Sequence, residues 1–109
     1  MEEKEYRQLV DKAFKKLEVA FDGVDPDMAE FEFSQGSITI LFADESRCIL
    51  STQPSVCQIW VAAASKGIAH HFNYDVGKQN WQDDKGKNVE LLSFVKNLVG
   101  EKTGIQLKL

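Results

Sequence analysis

A chain of 109 residues and 12.3 kDa supports one domain, residues 1–109, with no room for a second core or an interdomain cleft. With 43% hydrophobic and 28% charged residues it reads as an ordinary globule, neither disordered nor fibrous. The net charge of -4 is unevenly spread: Glu18 to Glu32 holds six carboxylates and no Lys, Arg or His, which repels phosphate backbones and argues against a nucleic-acid partner.

The longest apolar stretch, Ile38 to Ala43, is broken by Thr39 and falls far short of the roughly 20 residues that cross a bilayer. The acidic start Met1-Glu2-Glu3-Lys4 has neither the basic nor the apolar region of a secretory leader. A cytoplasmic protein with no membrane partner is therefore expected, with Cys48 and Cys57 as free thiols.

Residues 3–21 have a helical period, with Tyr6, Leu9, Val10, Ala13, Phe14, Leu17, Ala20 and Phe21 on one stripe. The helix should end near Asp22-Gly23, before Pro26. From Ala29 the period becomes two, and Ala29, Phe31 and Phe33 should face inward while Glu30 and Glu32 face out. Gln35-Gly36-Ser37 turns the chain into a strand whose inward residues are Ile38, Ile40 and Phe42. A third strand covers Arg47 to Thr52 and a fourth Cys57 to Ala62, separated by Gln53-Pro54-Ser55. In the fourth, Ile59 and Val61 point one way and Gln58 and Trp60 the other. His70 to Tyr74 and the short Trp81-Gln82 complete six strands. Asn88 is positioned to cap a second helix over Val89 to Val99, closed by Gly100, with the tail to Leu109 packing along the helices. Helix, six strands in hairpin succession, helix predicts an α+β fold: a two-layer α-β sandwich with both helices on one face of an antiparallel sheet and the other face open.

Phosphate-cradling glycine motifs, Cys-x-x-Cys, His-Glu-x-x-His and Gly-x-Ser-x-Gly are all absent. Cys57 with His70 or His71 is a candidate thiol–imidazole pair, but a shallow sandwich gives it no water-excluding pocket. The acidic stretch is the strongest local signal. Asp11, Glu18 and Asp22 project from one side of the first helix, Asp25 and Asp27 follow in the loop, and Glu30 and Glu32 stand on an edge strand. Hard oxygen ligands in this number suit weak capture of di- or trivalent cations, and equally suit a solubilising, aggregation-resistant face. His70 and His71 are adjacent on a strand and face opposite ways, so one metal cannot use both rings. Trp60 is forced outward between two core residues, either lying flat over neighbouring strands or anchoring a partner, framed by Gln53, Gln58, His71 and Asn73. Trp81, near a turn, reads as structural.

The run Gln58-Ile59-Trp60-Val61-Ala62 follows Thr52-Gln53-Pro54 and precedes Gly67, His71-Phe72, Asn80-Trp81, Asp84-Lys85-Gly86 and Leu91-Leu92. With the acidic first helix and Gly36-Ser37-Ile38-Thr39-Ile40, this succession resembles the frataxin family, in particular its bacterial CyaY branch, over essentially the whole chain. The resemblance implies a non-enzymatic iron-binding protein that serves iron–sulphur cluster assembly as regulator or iron donor, through contacts with the cysteine desulphurase and the cluster scaffold. An iron-oxidising, ferroxidase-like or iron-storing protein is the alternative. It further implies ferrous or ferric iron held weakly by Glu18, Asp22, Asp25, Asp27, Glu30 and Glu32, with Asp11 beside them, and replaceable by other divalent cations. The partner-facing surface falls on Gln53, Gln58, Trp60, His71 and Asn73, in a monomer by default with iron-dependent oligomers as the other implied state. Three positions depart from the family's bacterial pattern: Arg7 and Cys57 stand where relatives often carry His, and Val19 interrupts the acidic ridge.

Overall fold

The computed structural model describes all of residues 1–109. Helix α1, Glu3–Ala20, is followed by strands β1 Ala29–Ser34, β2 Ser37–Phe42, β3 Arg47–Gln53, β4 Gln58–Ala63, β5 Ile68–Asp75 and β6 Asn80–Asp83, then helix α2, Leu91–Thr103. The strands form one antiparallel sheet in the order β1-β2-β3-β4-β5-β6, as hairpin links between successive strands require. Alternation sends Ile38, Ile40 and Phe42, Cys48 and Leu50, and Ile59, Val61 and Ala63 to one face. There they join Tyr6, Val10, Ala13, Phe14 and Leu17 of α1 and Leu91, Val95, Leu98 and Val99 of α2 in a single core. The expected α+β sandwich is thus present, with both helices on one face of the sheet.

Register fixes the open face. Ser51, Trp60 and His71 lie side by side on β3, β4 and β5, as do Gln53, Gln58, Asn73 and Gln82 on β3 to β6. Glu32, Thr39, Ile49, Ala62 and Ala69 make a parallel row from β1 to β5.

Three local expectations are corrected. Helix α1 stops at Ala20, so Asp22 sits in the following turn, with its amide donating to the Val19 carbonyl at 3.1 Å. Phe33 lies on the helix side of β1 yet is 55% exposed: β1 is the sheet edge, and Phe33 meets the helix layer at its margin, with an edge contact to Phe14 at 6.0 Å between centroids. Helix α2 starts and ends later than its sequence signals suggest. Asn88 is in the left-handed region, φ 55°, and the cap is Glu90, whose carboxylate accepts from the amides of Leu92 at 2.7 Å and Ser93 at 3.0 Å. Gly100 stays inside the helix, because Gly104, φ 77°, provides the left-handed end and its N–H closes on the Gly100 carbonyl at 2.8 Å. Beyond it Leu107 is buried in the same core, so the tail packs down as expected.

Glu90→Ala should therefore cost about 1 kcal/mol of stability by loss of the cap. Asn88→Gly should cost less than about half as much, since glycine takes a left-handed backbone freely. Urea denaturation of the two variants measures both; a larger loss at Asn88 would return the cap to that position.

Candidate functional site

The seven acids do not form one compact site. Asp11, Glu18 and Asp22 follow one side of α1 into its terminal turn, Asp25 and Asp27 occupy the connection to β1, and Glu30 and Glu32 project from β1 to the open face. All seven are exposed. Lys15 reaches Glu18 at 3.0 Å, and the other six make no ion pair. Asp25 has a local task, since its carboxylate accepts the Asp27 amide at 2.9 Å and its carbonyl accepts the amides of Met28 and Ala29. No group of three or more His, Cys, Asp or Glu side chains closes around a position that could hold an ion. Chemically this is a line of hydrated carboxylates, able to take cations one or two ligands at a time and to meet a basic surface.

The open face carries a second cluster. Trp60 lies on β4 and stacks on His71 of β5, centroids 4.2 Å apart and planes 13° apart, a direct result of their pairing in register. The indole N–H donates to Gln58 Oε1 at 2.8 Å. Gln58 Nε2 in turn donates to Asn73 Oδ1 and to Asp84 Oδ2, each at 3.1 Å. His71 Nδ1 lies 3.8 Å from the same Asp84 oxygen. The ring does lie flat, yet remains 36% exposed, and its polar edge is tied down. A flat aromatic held on a rigid strand by hydrogen bonds loses little freedom on binding, which is what an anchor residue needs. Gln58, Trp60, His71 and Asn73 come together as expected, and Gln53 stands across from Gln58 at the end of β3.

Two members escaped the sequence. Asp84 belongs to the turn after β6, and its amide donates to the His71 carbonyl at 2.8 Å, which places its carboxylate beside Gln58. Its signals in the sequence were its place just after the short sixth strand and in the Asp84-Lys85-Gly86 run, neither of which assigned it to the site. Tyr6 reads as a core residue, and its ring is one, set edge-on to Trp81 at 6.0 Å. Its hydroxyl, however, donates to the Gln58 carbonyl at 2.6 Å and accepts from the Gln53 amide at 3.0 Å. Trp81 is buried between Tyr6 and Tyr74, a structural role.

His70 faces the helices, against Phe72 and Phe94, and its Nδ1 pairs with Asp83 Oδ2. Asp83, 7% exposed, is the buried charged residue of the core. Burial pushes its carboxyl pKa up, but the Lys85 amide at 2.7 Å and His70 outweigh this and leave it below the ordinary value. Cys48 is sealed in the core, and burial pushes its thiol up to about 12, so it is inert. Cys57 is a second free thiol, half-buried at the entrance to β4.

Truncating Trp60 to Ala should cost under about 1.5 kcal/mol, where Trp81→Ala should cost roughly 3 to 5. Chemical denaturation separates them, and a core-sized loss at Trp60 would make it a packing residue. Because the folded Asp83 carboxyl titrates below its unfolded counterpart, its contribution is complete above about pH 4 and is lost as pH falls through the folded pKa. Asp83→Asn should accordingly flatten the stability–pH curve below about pH 4, measured by urea midpoints; an unchanged acid limb would assign that limb to other groups.

Comparison with known proteins finds relatives along nearly the whole chain. The model of the frataxin-like domain covers residues 1–105. The iron-sulfur cluster assembly protein CyaY of Stutzerimonas stutzeri is 42% identical over 97 residues, 87% of this chain and 86% of its own length. The protein of the same name from Pseudomonas fluorescens strain SBW25 is 40% identical over 108 residues, covering 96% and 92%. Among solved structures, the frataxin of Psychromonas ingrahamii superposes with a TM-score of 0.85 at 24% identity, covering 98% of this chain and 96% of that one. A trimeric frataxin from the yeast Saccharomyces cerevisiae gives 0.70 at 22% identity, covering 96% and 88%. The two structures share the fold, and the sequence matches, spanning nearly the full length of both partners, carry the relationship: this chain belongs to the frataxin family, in its bacterial CyaY branch.

Proposed function

We propose that the protein binds iron loosely along its exposed acids and serves iron–sulphur cluster assembly as a regulator or iron donor. In this reading the cysteine desulphurase meets the acidic ridge and the cluster scaffold meets the Trp60 face. The observation that carries it is the pairing of two unlike surfaces on one small sandwich: carboxylates of which only Glu18 has a basic partner, and a tied-down, solvent-facing tryptophan. The curated relatives' own names, as cluster assembly proteins, support the same pathway.

Iron is cargo here. Without a closed set of three ligands, the carboxylates favour weak, rapidly exchanging ions with little selectivity, and manganese or cobalt should compete. The same openness disfavours oxidation chemistry, which needs ligands held at defined geometry. Glu30 and Glu32 on β1 share the open face with Trp60 on β4, three strand spacings or about 14 Å across the sheet and, by register, about 7 to 13 Å further along the strands. A partner covering the face could touch both, so iron and scaffold contacts need not be independent.

An anaerobic amide-shift titration, first with ferrous iron and then with the desulphurase, tests the reading. Shifts should follow Glu18, Asp22, Asp25, Asp27, Glu30 and Glu32 in both steps. The double variant Glu18→Gln/Asp22→Asn should bind both more weakly; wild-type affinity for iron would remove this part of the ridge as a site. Repulsion among these acids should also make the unfolding midpoint rise with sodium chloride, and rise again at low salt when ferrous iron is added. Since Lys15 already neutralises Glu18, relief of repulsion should come from Asp22→Asn, stabilising the iron-free protein by a few tenths of a kcal/mol. Calorimetry with and without iron decides whether the ridge binds the ion or only carries charge.

A further inference from the structure

Gln53 and Gln58 are the last register pair of β3 and β4 before the connection between them. Opposed residues in an antiparallel ladder alternate between pairs that exchange main-chain hydrogen bonds and pairs that do not; the Thr52 amide turns away to the Gly36 carbonyl at 2.9 Å, so the Gln53 amide faces β4 as in a bonded pair. Here the Tyr6 hydroxyl stands between them, accepting from the Gln53 N–H at 3.0 Å and donating to the Gln58 carbonyl at 2.6 Å. The connection is also held at Cys57, which packs against the core and whose thiol donates to the Pro54 carbonyl at 3.7 Å and the Met1 carbonyl at 3.9 Å. Pro54, Ser55 and Val56 form one exposed 3-10 turn, and Cys57 follows in the left-handed region, φ 53°. That conformation is uncommon for a residue with a side chain, and it persists where surrounding contacts impose it.

Gln58 is also the hub of the open-face cluster. Its side chain accepts from the Trp60 indole and donates to Asn73 and Asp84. A continuous chain of hydrogen-bonded groups therefore runs from the buried side of α1, through the sheet, to an aromatic ring on the opposite face.

We propose that the Tyr6 hydroxyl is a positioning group for the recognition surface, fixing the main chain of Gln58 and through it the orientation of Trp60. The proposal rests on the reading of the open face as a binding surface given above. The hydroxyl is separable from the packing, because the ring meets Trp81 edge-on and phenylalanine preserves that contact. Tyr6 is 1% exposed, and burial holds its phenol above the ordinary pKa, so it remains a donor at neutral pH. Without it, the Gln53 N–H and Gln58 carbonyl must close on each other or admit water, and either change moves the Gln58 main chain.

Four proteins test this: wild type, Tyr6→Phe, Trp60→Ala and Leu17→Val, the last a truncation of a fully buried core residue on the same helix, about 16 Å along its axis from Tyr6. In Tyr6→Phe the side-chain resonances of Trp60 Nε1–H and Gln58 Nε2 should shift, and affinity for the cluster scaffold protein should fall on the order of three- to tenfold. Leu17→Val should lose stability and leave both readouts at wild-type values, which separates positioning from general destabilisation. Lost affinity in Trp60→Ala with wild-type affinity or unshifted resonances in Tyr6→Phe would overturn the proposal alone. Wild-type affinity in Trp60→Ala would overturn the surface reading, and the proposal with it. One readout needs no variant: in the wild type the Gln53 amide should exchange slowly with deuterium, and rapid exchange there would also overturn the assignment.

Discussion

Ile38, Leu50 and Val61 lie side by side on three adjacent strands, and each is buried beneath the helix layer. Burial of one such side chain is worth roughly 1.5–3 kcal/mol, and the strands repeat the pattern two residues further on. The register of the whole sheet follows from this, because a slip by one residue would send every one of these side chains into water. One-sided burial also determines what is left over. The residues between them, Thr39, Ile49, Ser51, Trp60 and His71 among them, are placed on a second face with no layer to cover it. The proposed recognition surface is in this sense the complement of the core.

A sheet with one open face must keep its free surface from pairing with other chains. The edge strand β1 carries Glu30 and Glu32 outward, a like-charge barrier against a second copy of the same edge. At the opposite edge, β6 is short, and Gln82 forms an isolated bridge with Glu90 ahead of α2. Glu30 and Glu32, which belong to the proposed iron ridge, thus also protect an edge, so one charge distribution serves solubility and the proposed binding. Their mutual repulsion is tolerable because all are hydrated and screened.

The helices do more than cover the sheet. Helix α1 presents acids on its outer side and sends Tyr6 through the core to the β3–β4 connection. Helix α2 is tied at its start by Glu90 and near its end by Lys102, which reaches Asp44 in the β2–β3 turn at 2.6 Å and holds that carboxyl well below its usual pKa. Lys66 and Glu101 make a further pair between the β4–β5 connection and α2. The exposed pairs add little stability each, and their effect is to orient the helix on the sheet.

The sequence by itself determined whatever depends on local periodicity and charge. Alternation in β2 and β4, the helical stripe of α1 and the carboxylates between Glu18 and Glu32 were all legible, because side-chain direction along a strand or helix follows from backbone geometry alone. Helix ends were less so: Asn88 and Gly100 carry the right residue types for caps, but the left-handed conformations at Asn88 and Gly104 depend on how the flanking chain packs. Only the tertiary structure could decide the cluster around Trp60. Its hydrogen bonds join Gln58 to Asp84 across 26 residues and Tyr6 to Gln58 across 52. Such pairings are set by strand register and by where the helix crosses the sheet, which are properties of the assembled core that no local window of sequence contains.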